Sequence, residues 1–392
     1  MKLFPTALTQ KLQQREASNA LRKLPVSKEL IDFASNDYLG FSQSETIFNE
    51  THEYLLQKKL KVNGATGSRL ISGNHNLYTI TEEFIANFHH APSALIFNSG
   101  YDANIGFFGS VPQRSDIILY DELCHASIRD GITMSNTKSY KFQHNNPDDL
   151  ERLILKFINQ NPEPKTLNPE PRTFYIVTES VFSMDGDCPN LEELVRISEK
   201  YNCNLVVDEA HALGVFGDYG QGLVQSLDLQ DKVFARIMTF GKGLGCHGAA
   251  ILGSTELKSY LVNFARSFIY TTGLSPHSVA TILVAYQHLE TEKLAMQNLK
   301  HTIQFFNQQK MQLGLKQLFV YSKSAIQCAI IPGNEKVKSI ANKLQERGFD
   351  VKAILSPTVP EGQERLRFCL HSYNSEEEIS NVLQLLSTFV FL

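Results

Sequence analysis

Five short, unbroken apolar runs limit what this chain can fold into: residues 94–97, 117–119, 174–177, 205–207 and 237–238. Each is too short for a helix and lacks the polar alternation of a strand with one wet face, so each reads as a strand buried on both sides. Helical patterns lie between several of them, for example residues 191–201 with Asn190 placed to cap the N-terminus. Buried strands separated by helices build a largely parallel sheet with helices on both faces. The expected fold class is α/β.

The rest of the chain frames that sheet. Residues 6–23 carry Leu8, Leu12 and Leu21 at helical spacing and end near Pro25. Residues 31–34 form a short apolar strand that leads into the turn-forming cluster Ser35-Asn36-Asp37. Residues 279–314 read as a long helical stretch with little Gly or Pro. Beyond it, residues 325–331, 337–347, 350–355, 365–370 and 376–386 read as alternating elements of a second, smaller α+β domain. The apolar tail 382–392 reads as a packed terminal helix. The expected division is an N-terminal segment 1–45, a large domain 46–285 and a small C-terminal domain 286–392. Residues 159–172 hold four prolines and are expected to be a surface connection.

Bulk properties exclude several classes. A formal charge of −4 over 392 residues makes no field that attracts nucleic acid or an anionic membrane. No run approaches the roughly 20 apolar residues that span a bilayer, and residues 1–10 lack the apolar core of a signal peptide. The six cysteines, Cys124, Cys188, Cys203, Cys246, Cys328 and Cys369, are scattered without a Cys-x-x-Cys pair. Reduced thiols and a cytoplasmic location are therefore expected, and no metal site.

In open parallel sheets, ligands sit outside the carboxyl ends of the strands. The polar clusters fall there repeatedly: Asn98-Ser99-Gly100-Tyr101, Asp121-Glu122 with His125, Glu179-Ser180 with Ser183, Asp208-Glu209-Ala210-His211, and Thr239-Phe240-Gly241-Lys242. Five clusters at one edge argue for one composite site. Lys242 lies among Gly241, Gly243, Gly245 and Gly248, and glycines let backbone approach a ligand closely. A partly desolvated amine there has a lowered pKa and can attack a carbonyl. A phosphate-binding loop is the competing explanation, but TFGKGLG lacks the Gly-x-x-x-x-Gly-Lys-Ser/Thr spacing.

Asp208 ends a buried strand and needs a donor partner. A protonated pyridine nitrogen would serve; a structural salt bridge or helix cap fits equally well when Asp208 is taken alone. His211 follows within reach of the same ligand, and His125 can present a flat face to an aromatic ring. Gly100 and Tyr101 offer backbone N–H groups suited to a phosphate, although a plain strand–helix turn explains them too.

Together these segments resemble the α-oxoamine synthases, a branch of the fold-type-I pyridoxal 5′-phosphate (PLP) enzymes. The resemblance runs through FASNDYLG at 33–40, GATGSRLISG at 64–73, NSGYDAN at 98–104 and DELCHAS at 121–127. It continues through TESVFSMDGD at 178–187, DEAHALGVFG at 208–217, TFGKGLGCHGAA at 239–250 and SPTVPEGQERLRF at 356–368. It implies the aminotransferase-like fold and a Schiff base between Lys242 and PLP. It further implies Asp208 at the pyridine nitrogen, His211 at the ring oxygen, His125 stacked on the ring and Ser183 beside it. Gly100, Tyr101 and Thr239 would hold the phosphate, and Thr272 would reach the phosphate of a neighbouring subunit in a homodimer. Arg367 would grip the amino-acid carboxylate, Asn36 would lie near the substrate, and Arg22 and Thr358 would place the acyl group.

The activity so implied is decarboxylative condensation of an amino acid with an acyl thioester carried on coenzyme A or an acyl carrier protein. VFSMDGD, TFGKG, Thr358-Val359-Pro360 and the segment ending at Arg22 point to L-alanine and a pimeloyl thioester within biotin biosynthesis. Serine with a palmitoyl thioester and glycine with an acetyl thioester are the alternatives. Ala65-Thr66 and Cys246-His247 depart from the commonest pattern and bear on acyl preference. A non-catalytic binding module on the same fold would be expected to lack Lys242, Asp208 or Arg367, and all three are present.

Overall fold

The computed structural model describes residues 4–18, 20–22, 24, 29–159, 172–291 and 293–391. The chain opens with α1 (Thr6–Ala17), β1 (Ile31–Asp32), α2 (Glu45–Gln57) and α3 (Asn76–Phe88). Strands and helices then alternate through β2 (Ser93–Phe97), α4 (Gly100–Phe108), β3 (Ile117–Asp121), α5 (Ala126–Met134), β4 (Lys138–Phe142) and α6 (Pro147–Asn159). The alternation continues with β5 (Phe174–Glu179), α7 (Leu191–Lys200), β6 (Asn204–Asp208), α8 (Leu223–Ser226) and β7 (Ala235–Thr239). Next come β8 (Ala249–Gly253), α9 (Thr255–Phe264), α10 (Arg266–Ile269), α11 (Pro276–Thr291) and α12 (Leu294–Gln312). The last part holds β9 (Ile326–Ile330), α13 (Asn334–Glu346), β10 (Phe349–Asp350), β11 (Lys352–Ile354), β12 (Arg365–Cys369) and α14 (Glu376–Phe391).

The larger of two compact units comprises Asn36–Ser183 and Asp187–Asn298. Its seven-stranded sheet has the order β2-β8-β7-β6-β5-β3-β4. Only β8 runs antiparallel to its neighbours, β2 and β7, so those two point the same way. The remaining pairs are parallel, and the carboxyl ends of β2, β3, β5, β6 and β7 therefore share one edge. Every residue of β2 and of β5 is buried. Along β3, Ile118 belongs to one apolar cluster while Ile117 and Leu119 belong to another, as expected when alternate side chains face two covered sides.

Two strands escape the apolar-run reading. The residues of β4 are mostly exposed, as befits an edge strand, and β8 opens with Ala249 and Ala250, which read as the end of the lysine motif 239–250. Asn190 does cap α7, accepting from the Glu193 N–H at 3.2 Å. The helical stretch 279–314 proves to be two helices, α11 and α12. The division between units falls after Asn298 and not at 285/286, because α11 runs through that point and packs on α2 and α3 with Tyr286 and Leu289 fully buried.

The smaller unit comprises Met1–Ser35, Met184–Gly186 and Leu299–Leu392. Its sheet, β11-β12-β9, is antiparallel throughout, and all five residues of β12 are buried. Phe306, Phe319 and Phe368 pack ring against ring in its core. The expected strand 31–34 is reduced to β1, which pairs in parallel with β10. The expected helix 6–23 stops at Ala17, and α1 buries no residue. Residues 160–171 of the proline-rich connection lie outside the described residues. None of the six cysteines is in a disulfide, and no described helix is long and apolar enough to cross a membrane.

Candidate active site

Lys242 follows β7 in a tight turn of the larger unit. At Gly245 φ is +65°, and a side chain there would run into the backbone of Phe41 and Ser42. Glycine is thus required where this turn closes on its neighbour. Lys242 is half-buried, and its Nζ lies 2.8 Å from His211 Nε2. His211 Nδ1 lies 2.7 Å from the Tyr38 hydroxyl, which donates to Asn36 Oδ1 at 3.3 Å. An ammonium only donates, so His211 accepts at Nε2, carries its proton on Nδ1 and donates it to Tyr38.

Asp208 closes β6 and is 5% exposed. Its Oδ1 accepts the Ala210 N–H at 2.9 Å, and its Oδ2 accepts from the Asn104 amide at 2.9 Å. The same amide donates to Ser127 Oγ at 3.0 Å, and Ser127 Oγ lies 2.8 Å from His125 Nδ1. The Ser127 backbone N–H also donates to His125 Nδ1, so that nitrogen is an acceptor and the ring proton sits on Nε2. Partial desolvation lowers the His125 pKa; the Asp208 charge opposes this and the Lys242 charge adds to it. His125 is an exposed residue whose Nδ1 is held by Ser127.

The Glu179 carboxyl sits beside Asp208 across the β5–β6 pair, and its Oε1 accepts the His125 backbone N–H at 2.5 Å. Burial pushes its pKa well above the usual carboxylate range, and the Asp208 charge pushes it further. A neighbouring pair, Asp121 and Asp187, holds His144 at 2.9 Å on either side. Burial alone would lower the His144 pKa, but the hydrogen bonds and charges of the two aspartates outweigh it and raise the value to about 10.

Gly100 opens α4, and Ser99 caps it by accepting the Asp102 N–H at 3.0 Å. A Cβ at Gly100 would collide with the Thr239 hydroxyl, so the helix N-terminus and Thr239 form a cradle only glycine leaves open. Tyr101 is exposed, with its hydroxyl donating to Asp130 at 2.7 Å. Ser183 is half-buried in the turn after β5, and Thr272 is exposed with its carbonyl accepting from Asn98 at 2.7 Å. In the smaller unit, Arg22 Nη2 donates to Thr358 Oγ1 at 3.5 Å, and both residues are exposed. Arg367 is 8% exposed on β12 and donates through Nη1 to Cys369 Sγ at 2.8 Å.

Tyr38, Asn104, Ser127, Glu179 and His144 are parts of this arrangement to which the sequence assigned no role. Asn104 carried one usable signal: it stands four residues after Gly100, on the same face of α4. The donor set fits PLP. A primary amine faces a histidine, a buried carboxylate is held by two donors, a second imidazole is tied down at Nδ1, and the N-terminus of a helix meets a hydroxyl at the Gly100 cradle.

The chain belongs to the aminotransferase class I and II family, whose family model matches residues 28–386. It is a PLP enzyme of the α-oxoamine synthase branch, which decides against a nucleotide as the ligand of the glycine-flanked lysine. A protein of Emericella nidulans described as 8-amino-7-oxononanoate synthase is 40% identical, over 99% of this chain and 96% of its own length. The crystal structure of 8-amino-7-oxononanoate synthase from Francisella tularensis matches with a TM-score of 0.77 at 28% identity, covering 93% of this chain and 99% of that one. A serine palmitoyltransferase of S. paucimobilis matches with a TM-score of 0.86 at 22% identity, covering 98% and 96%, a likeness of fold.

Proposed function

We propose that this protein condenses L-alanine with a pimeloyl thioester, releasing carbon dioxide and the carrier thiol and forming 8-amino-7-oxononanoate for biotin synthesis. The observation that carries the reading is the aligned set Lys242–His211–Tyr38–Asn36 beside a buried, amide-held Asp208. The 40% identity to a relative of that name supports the choice of substrates.

PLP, when bound, supplies an electron sink for the carbanion at the amino-acid α-carbon. Lys242 Nζ would hold the cofactor and, as a free amine, would remove the α-proton of the amino acid and return one. Asp208 would keep a proton on the pyridine nitrogen, His211 would hydrogen-bond the ring oxygen, and Ser183 would lie beside the ring. His125 covers the ring face with a neutral imidazole. The backbone N–H groups of Gly100 and Tyr101, with the Thr239 hydroxyl, bind the phosphate. Arg367 binds the amino-acid carboxylate through its planar fork, Asn36 lies near the bound amino acid, and Arg22 and Thr358 place the acyl chain. The acyl carrier is coenzyme A or an acyl carrier protein. The working enzyme is a cytoplasmic homodimer in which Thr272 reaches the phosphate of the partner's site.

The test is a substrate matrix: alanine, glycine and serine against pimeloyl-, acetyl-, succinyl- and palmitoyl-coenzyme A. Alanine with pimeloyl-coenzyme A is expected to give the highest kcat/KM, and borohydride is expected to fix the cofactor on Lys242. Preference for serine with palmitoyl-coenzyme A overturns the substrate assignment. A protein that is colourless and does not take up PLP overturns the whole reading.

A further inference from the structure

We propose that Asn104 is a positioning residue that sets the Asp208 carboxylate and the His125 imidazole together. The inference rests on the reading of Asp208 and His125 as the groups that meet the cofactor ring. The Asn104 side chain is 2% exposed, and its amide nitrogen donates to Asp208 Oδ2 at 2.9 Å and to Ser127 Oγ at 3.0 Å. A carboxylate only accepts, so the NH2 end must face Asp208; reversing the amide would set two oxygens against each other. The price of this orientation is visible at the other end, where Asn104 Oδ1 is buried with no hydrogen-bond partner. A buried polar atom left unsatisfied needs a reason. The reason here is that both amide hydrogens are committed to two separate groups of one site.

The direction of each bond follows. Ser127 Oγ accepts from Asn104, so its own hydrogen is free to donate to His125 Nδ1, 2.8 Å away. The Ser127 backbone N–H donates to the same nitrogen. Asn104 thereby favours the His125 form that is neutral and protonated on Nε2. On the Asp208 side it fixes one oxygen while the Ala210 N–H fixes the other, so the carboxylate is held at both ends. One amide therefore fixes the orientation of the carboxylate and, through Ser127, the tautomer of the stacking ring, so that the two groups are set together for one ligand. Partners of this kind orient the groups that touch a ligand without touching it themselves.

The experiment compares the wild type with Asn104→Ala, Asn104→Asp and Asp208→Asn, each as full-length protein reconstituted with PLP. Asn104→Ala is expected to raise the dissociation constant for PLP by about 10-fold or more and to lower kcat more than it changes KM for alanine. The pH midpoint of the visible absorbance of the bound cofactor is expected to move, which loss of packing alone would not do. Asn104→Asp keeps the shape but removes the donor, so it is expected to share these defects; wild-type behaviour from it overturns the proposal. If Asn104→Ala does not fold, Ser127→Ala cuts the same chain one link further on and is expected to lower kcat by about 3- to 10-fold. Unchanged kcat in that variant overturns the link to His125. Unchanged cofactor affinity in Asp208→Asn overturns the reading of Asp208 itself. A defect in Asp208→Asn without one in the Asn104 variants overturns only the present inference.

Discussion

The Tyr38 hydroxyl stands 2.7 Å from Nδ1 of His211, and the other nitrogen of that ring stands 2.8 Å from Nζ of Lys242. Tyr38 is fully buried, so nothing from solvent replaces its oxygen if it is lost. Tyr38→Phe keeps the ring and leaves the His211 N–H without this acceptor, at a stability cost of about 1–3 kcal/mol. A ring no longer held at one edge is also free to turn away from Lys242. We expect Tyr38→Phe to fold with a lowered Tm and to lose about 10-fold in kcat, measured by thermal unfolding and steady-state kinetics with alanine and pimeloyl-coenzyme A. Wild-type kcat would remove Tyr38 from the alignment of Lys242.

Arg367 presents a planar fork from β12, with one arm already donating to Cys369 Sγ. A lysine keeps the charge and loses the paired geometry. Arg367→Lys should therefore raise KM for alanine by about 10- to 100-fold while changing KM for the acyl thioester by less than about 3-fold. Equal effects on both substrates would assign Arg367 to the fold and not to carboxylate binding.

The sheet was legible in the sequence wherever burial on both faces left an unbroken apolar run, as in β2 and β5, where every residue is buried. It was illegible where that condition fails. Exposed Lys138, Tyr140 and Lys141 give the edge strand β4 no apolar signature, and the small residues of β8 look like loop. The site divides in the same manner. Lys242 and Asp208 stand out because each ends a buried strand, whereas Tyr38 and Asn104 are polar residues whose meaning comes from partners 173 and 104 positions away. Only the fold supplies those partners. Hence the resemblance could name Arg22 and Thr358 singly but not their contact, and it did not reach the amide bridging Asp208 to Ser127.

His144 gives the fold a pH dependence of known sign. Burial alone would lower its pKa, but Asp121 and Asp187 raise it to about 10, against about 6.5 in an unfolded chain. The folded state thus binds the proton more tightly, and the stabilisation is fully present below about pH 6.5. It declines as pH rises and is lost as pH passes through about 10. His144→Gln should therefore lower Tm more at pH 6 than at pH 10, with the gap between the two penalties at least about 3 °C. Thermal unfolding of both proteins at the two pH values decides it. Equal penalties would mean that His144 is held as a neutral ring.

Gly100 tests the phosphate cradle most directly. A Cβ there would meet Thr239 Cγ2 at 3.3 Å and lie closer still to Oγ1, so either the helix N-terminus or Thr239 must shift. The helix itself would not suffer, since alanine is favoured over glycine by up to about 1 kcal/mol within a helix. Gly100→Ala should therefore keep its Tm while its affinity for PLP falls by about 10-fold or more, equivalent to about 1.4 kcal/mol. Binding of pyridoxal, which lacks the phosphate, separates the possible causes. If the cradle holds phosphate, Gly100→Ala and the wild type bind pyridoxal alike and differ only with the phosphorylated form. If both forms weaken together, the substitution has displaced the Lys242 turn through Thr239, and the phosphate must be bound elsewhere.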